Sequence, residues 1–283
     1  MTSLMGERIA IRWVVALIPE AIAIRKRYRM TLVVHEGPYQ VFKDPTDCHW
    51  LTISGMGRVH AAAATMYLHQ MSKAPPWAAW INVGIAGNSA GTYGALYLVD
   101  KITEKSTERC GYPGTVISSF VARGSLVTVD KPETSYESDE LFDMEGSAIF
   151  DIACRLSSQQ LVLVLKIVSD GPNLSVQNLT SEMISDLVSD NINVISKIVS
   201  EVERLTKQEY DRLKVPDSYH TITNKWHFSQ SQKHRLMHLV KRWQATVQRK
   251  DLMPFLEDCP DAKSAMKKLS IKLDEHEIDW GES

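Results

Sequence analysis

The chain has 283 residues, 44% apolar and 23% charged, with 32 Lys and Arg against 34 Asp and Glu for a formal net charge of −2. That length supports one large domain or a domain with an appendage, and the even balance of charge argues against a nucleic-acid binder. Cys48, Cys110, Cys154 and Cys259 are far apart and form no CxxC pair, which argues against a zinc site or disulfide framework and for a reducing compartment.

Residues 8–18 (RIAIRWVVALI) predict a central strand, and a helix follows from Pro19 to about Tyr28, with proline suited to the first turn. Arg12, Pro19 and Glu20 interrupt this apolar stretch, so it reads as neither a signal peptide nor a membrane span. No other segment approaches a membrane span, and a cytoplasmic protein is expected. TLVVHEGPYQVFKD (31–44) predicts a hairpin around Glu36-Gly37-Pro38, and HWLTIS (49–54) a further strand. SGMG (54–57) is a glycine turn opening an alanine-rich helix. WAAWINVGIAG (77–87) predicts a strand ending in a second glycine turn, GIAG (84–87). GALYLVDKIT (94–103) is one more strand, and VISSFVARGSLVTVD (116–130) supplies one or two.

LFDMEGSAIFDIACRL (141–156) reads as a helix whose stripe is Met144, Ala148, Ile149, Ile152, Ala153 and Leu156, with Glu145 on its first turn. That acid is either a solvated helix-start residue favoured by the dipole or an acceptor aimed into a pocket. LVLVLKIVSDG (161–171) is the clearest buried strand, ending at Ser169, Asp170 and Gly171. A long amphipathic helix covers 180–207, with Ile184, Val188, Ile195, Ile198, Val202 and Leu205 on one face. Alternating strands and helices predict a three-layer α/β/α domain over residues 1–213, built on a central twisted mixed sheet.

VPDSYHTITNKW (215–226) then reads as a linker, and residues 214–283 as a helical C-terminal extension. Residues 229–250 predict a helix with Leu236, Leu239, Val240, Trp243 and Val247 on one face. Seven Lys and Arg and no acid lie between Lys225 and Lys250. Its charges face water, or attract a partner or an anionic ligand. A last short helix carries Ala262, Met266, Leu269 and Leu273. His227, His234 and His238 lack a carboxylate or cysteine that would complete a metal site, and read as solvated.

Glu20, Glu145 and Asp170 each sit at the edge of a buried element, and ligands of α/β sheets bind at strand ends. At this point the chain resembles a known family. ALIPE (16–20), SGMGRVHAAAA (54–64), INVGIAG (81–87) with GALYLVD (94–100), FDMEGSAI (142–149) and KIVSDG (166–171) follow the order and spacing of the purine nucleoside phosphorylase and uridine phosphorylase superfamily. Within it they look like the methylthioadenosine/S-adenosylhomocysteine nucleosidases. The resemblance covers roughly residues 8–205 and says nothing about 214–283.

The resemblance implies a nucleosidase that hydrolyses the N-glycosidic bond of an adenosine-type nucleoside or thionucleoside, without metal or organic cofactor. A purine nucleoside phosphorylase and a catalytically weak nucleoside-binding regulatory module are the alternatives. It makes Asp170 the acid at the base, with Ser169 orienting it, Glu145 the acceptor of ribose hydroxyls, Met144 the packing beneath the sugar and Glu20 the base that activates water. Asp170 must then keep its proton near neutral pH, which partial burial favours. Lys166, Gly84, Ile85 and Gly87 fall in the matching substrate-binding segments. A homodimer or larger homo-oligomer is also implied. Three positions depart from the family pattern. Ile85 stands where nucleosidases carry serine, Lys166 where they carry arginine, and the aromatic that stacks on the purine is missing, Tyr136 being either its substitute or an exposed loop tyrosine. Asn82 occupies the phosphate-binding arginine position of the phosphorylases, and Arg58 is the only arginine nearby, so water is the expected nucleophile.

Overall fold

The computed structural model describes residues 9–34, 36–114, 117, 121–246 and 252–275. Two compact units form, Met1–Arg212 and Leu213–Ser283. Ten strands of the first share one sheet. They are β1 (Ile11–Val15), β2 (Thr31–Val34), β3 (Val41–Lys43), β4 (His49–Ile53) and β5 (Ala79–Asn88). The other five are β6 (Leu96–Glu104), β7 (Cys110–Gly111), β8 (Ala122–Thr128), β9 (Leu141–Asp143) and β10 (Val162–Asp170).

β1 and β10 are buried at every residue, as their near-continuous aliphatic runs require when both faces of a sheet are covered. β1 lies parallel between β4 and β5, and the antiparallel hairpin of β2 and β3 extends the sheet beyond β4. On the other side β5 pairs with β10, β10 with β6, β6 with β8, β8 with β9, and β9 returns to β5. These five strands close into a ring, while β7 pairs only with β6.

Strand alternation divides the aliphatic residues between two cores. Trp13, Val15, Leu163, Leu165 and Ile167 face the first, Val14, Val162, Val164 and Val168 the second. Four helices cover them: α1 (Ile18–Arg27), α2 (Arg58–Ser72), α3 (Gly146–Leu156) and α4 (Ser181–Leu213). α1 and α4 bury Ala21, Ile24, Val188, Ile195, Ile198 and Val202 in the first core. α2 and α3 bury Ala61, Leu68, Ile149 and Ala153 in the second. The three-layer α/β arrangement with a mixed sheet is the one the sequence predicts.

The second unit packs α5 (Asp217–Lys225), α6 (Gln230–Thr246), α7 (Leu252–Phe255) and α8 (Ala262–Asp274) around Ile222, Leu236, Val240, Leu256 and Leu269. Among the described residues no helix is long and apolar enough to cross a membrane.

Four local expectations are corrected. GIAG is no turn but the interior of β5, paired with β10. Leu141–Asp143 is a strand, so α3 starts at Gly146 with Glu145 as its cap. The segment read as a linker contains α5, because Pro216 precedes its first turn, where a missing N–H costs nothing, and Ile222 is fully buried. α4 continues past Lys207 to Leu213. Residues 116 and 118–120 of the stretch leading into β8, and Val247, Arg249 and Lys250 of the basic helix, lie outside the described residues.

Candidate active site

Where β1 passes into α1, the first backbone N–H groups of the helix lack partners. Glu20 turns back to supply them. Its Oε2 accepts from the N–H of Ala16 and of Leu17, each at 2.8 Å, and its Oε1 accepts from the Ile85 N–H of β5 at 3.0 Å. The side chain is 2% exposed. Burial pushes its pKa above the usual carboxylate range despite these donors and the charge of Lys166.

Glu145 precedes α3 and reaches back to the SGMG turn, where its Oε1 accepts the Gly57 N–H at 2.6 Å. Gly57 has φ +97° and Gly55 φ +78°, a backbone that side chains resist and that presents this N–H to the acid. Burial, then the charge of Asp143, pushes Glu145 up to about 7 against the pull of Lys166.

Lys166 lies in the middle of β10, fully buried, with Nζ 2.8 Å from Asp143 Oδ2. Asp143 also accepts the Thr128 hydroxyl and the Gly146 N–H, both at 2.7 Å. Burial would lower the pKa of Lys166. Asp143, Glu145 and Glu20 outweigh it, so the pKa is raised and the ammonium persists. Gly84 makes room for this arrangement: a Cβ there would lie 3.0 Å from Glu20 Oε1 and 3.3 Å from Lys166 Nζ.

Asp170, 8% exposed, ends β10. The Ser169 hydroxyl donates to its Oδ1 and the Tyr136 hydroxyl to its Oδ2. Gly87 of β5 packs against this pair, and a Cβ there would meet Tyr136 Oη at 2.6 Å and Asp170 Oδ2 at 2.8 Å. The GIAG glycines thus clear space for side chains around a ring of strands. Gly87→Ala overpacks that contact, at a cost of about 1–3 kcal/mol. A fall of several degrees in the thermal midpoint, read by circular dichroism, is the expected result.

Glu20, Glu145 and Asp170 line one cavity of about 240 Å³, together with Met144, Ile85, Gly87 and Ser169. Gly84 and Lys166 stand behind its wall and hold the acids in place. Tyr136 is no exposed loop residue and lines the same cavity. It is buried, meets Phe142 edge-on at 6.0 Å and 77°, and binds Asp170. Asp143 was missed as a site residue because its strand was read as helix; in β9 it lies directly across from Thr128. Asn82 is buried, donating to the Val14 carbonyl at 2.9 Å. Arg58 is held by Glu104 and, at 2.6 Å, by Asp130.

No protein-family model matches the chain, and no curated protein does. Solved structures are similar in fold. An Arabidopsis thaliana 5′-methylthioadenosine nucleosidase matches 70% of this chain and 98% of its own, at 17% identity and a TM-score of 0.58. A Neisseria meningitidis 5′-methylthioadenosine/S-adenosylhomocysteine nucleosidase, in complex with methylthio-immucillin-A, covers 68% and 99%, at 18% identity and a TM-score of 0.53. The native futalosine hydrolase of Helicobacter pylori covers 69% and 99%, at 12% identity and a TM-score of 0.54. The chain therefore shares the fold of these solved structures.

Proposed function

We propose that the cavity is the active site of an N-ribosyl hydrolase acting on an adenosine-type nucleoside or its 5′-thioether. The observation that carries this reading is the meeting of Glu20, Glu145 and Asp170, from three distant segments, around one void. Cleaving an N-glycosidic bond leaves an electron-poor sugar and an electron-rich base. Asp170 answers the second need by supplying a proton to the base. Glu145 has acceptor positions for two ribose hydroxyls, and Gly57 fixes its direction. Glu20 takes the proton of the attacking water. Glu145, when ionised, places negative charge in the cavity, which favours the positive charge developing on the sugar.

Water is favoured over phosphate by two side chains already engaged. Asn82 is committed to Val14, and Arg58 to Glu104 and Asp130. The solved structures of like fold include nucleosidases and a futalosine hydrolase. The test is base release from methylthioadenosine, S-adenosylhomocysteine, adenosine and inosine, followed by chromatography with and without phosphate. Equal release in both is expected. Release that requires phosphate would make the enzyme a phosphorylase, and binding without release would leave a nucleoside-binding module.

A pH dependence follows from Glu145. Its folded-state pKa near 7 lies above the ordinary value, so the fold binds this proton more tightly than the unfolded chain does. The stabilisation from that proton is complete below the ordinary carboxylate range and is lost as pH rises through about 7. Ribose binding needs the ionised form. Nucleoside affinity, measured by titration calorimetry, is therefore expected to fall about tenfold per unit as pH drops below that value. A flat affinity across this range would contradict the role of Glu145.

A further inference from the structure

We propose that Tyr136 is a catalytic residue, its phenol passing the proton from Asp170 to the departing base; this rests on the nucleosidase reading above. Asp170 has two oxygens, and each receives a hydroxyl. Ser169, on Oδ1, is completely buried. Tyr136, on Oδ2, lines the cavity. Asp170 and Ser169 line the cavity as well, but both carboxyl oxygens are engaged by hydroxyls, and the one on Oδ2 is a phenol at the same wall.

Several features fix that phenol in place. Gly87 leaves the space it fills. Phe142 packs edge-on against its ring. The preceding turn is tied by Glu133, which accepts the Thr134 N–H at 2.9 Å, the Ser135 N–H at 2.8 Å and the Ser135 hydroxyl at 2.7 Å. These donors, the Ser135 hydroxyl first, hold the half-buried Glu133 down at about 2. Tyr136 itself has φ +46°, a conformation a bulky residue avoids and one that concentrates at functional sites. Burial, then the bond to Asp170, raises its pKa, so the phenol keeps its proton at rest. A neutral hydroxyl can donate and accept in one step.

The balance is as follows. With Asp170 protonated, its O–H turns to the phenolic oxygen and the phenolic O–H turns to the base. As the glycosidic bond breaks, its electron pair goes to the base, the phenolic proton bonds to the base nitrogen, and the Asp170 proton replaces it on the phenol. Asp170 is left as a carboxylate, and the sugar cation takes the water activated by Glu20. Solvent takes the proton from Glu20 and returns one to Asp170.

The experiment compares the full chain with Tyr136→Phe, which removes one oxygen and keeps the ring. Two substrates are used: an adenosine-type nucleoside, whose base needs a proton to leave, and 4-nitrophenyl riboside, whose phenolate does not. On the nucleoside kcat is expected to fall about 10²-fold or more, with KM little changed. On the nitrophenyl riboside the loss is expected to stay within about threefold, since the step that needs the proton is absent. Asp170→Asn should show the same split, and the double variant should be no slower than the slower single one. Equal losses on both substrates would show a merely structural role, and undiminished nucleoside turnover would show a residue the reaction does not use. Either would overturn the assignment of Tyr136 alone. An inert parent chain would overturn the nucleosidase reading and this proposal with it.

Discussion

Asp170→Asn is expected to slow base release by about 10²- to 10⁴-fold while leaving the chain folded. The replacement has the same shape, so the packing of Gly87 against the side chain is kept. Its carbonyl still accepts one of the two hydroxyls that now converge on the carboxylate. The other hydroxyl must rotate and accept from the new NH₂ group, at a cost of about 1 kcal/mol. What is lost is the proton, because an amide has none to give at neutral pH. Rates should be read beside thermal midpoints, so that a lost acid is told apart from a lost fold. A variant as fast as the parent would show that the base leaves without help from Asp170, and would remove the central role from this account.

Lys166→Met is expected to cost the most stability. Among the described residues, Lys166 is the cation placed among Asp143, Glu145 and Glu20, all buried. Removing one partner of a buried pair leaves uncompensated charge and costs about 3–5 kcal/mol. Here three carboxylates lose their shared counter-ion, so the upper part of that range applies. The sign with pH is fixed. Without the ammonium the acids hold their protons more tightly, so the penalty is greatest at alkaline pH and shrinks as pH falls through their raised values. Denaturant unfolding at pH values above and below about 7 would read it. Adding Asp143→Asn to Lys166→Met should recover part of the loss. A Lys166→Met chain as stable as the parent at alkaline pH would mean that the cluster is not charged as described.

Much of this was legible in the chain because acids in buried runs are conspicuous. Glu20, Glu145 and Asp170 each interrupt or end an aliphatic stretch, and the strands and helices around them follow from apolar periodicity. What stayed hidden depends on partners distant in sequence. Gly84 and Gly87 look like a turn, since glycine usually is one; only the ring closed by β5, β9 and β10 shows that they clear space for Lys166 and Tyr136. Lys166, read as a substrate contact, stands behind the wall on Asp143, a partner 23 residues earlier in the chain. Tyr136, in a polar stretch, gives no sign of burial until Asp170 and Phe142 are brought beside it. The helix after Pro216 was masked by its polar residues, with Ile222 its one buried side chain.

The most direct measurement is to incubate the chain with methylthioadenosine in phosphate-free water enriched in ¹⁸O, quench early, and analyse base and sugar by mass spectrometry. Unlabelled methylthioribose in the same water serves as the control for exchange. Free adenine together with one ¹⁸O on the released sugar, beyond the control, is the predicted result. Intact nucleoside with no adenine, from a chain shown to be folded, would contradict it.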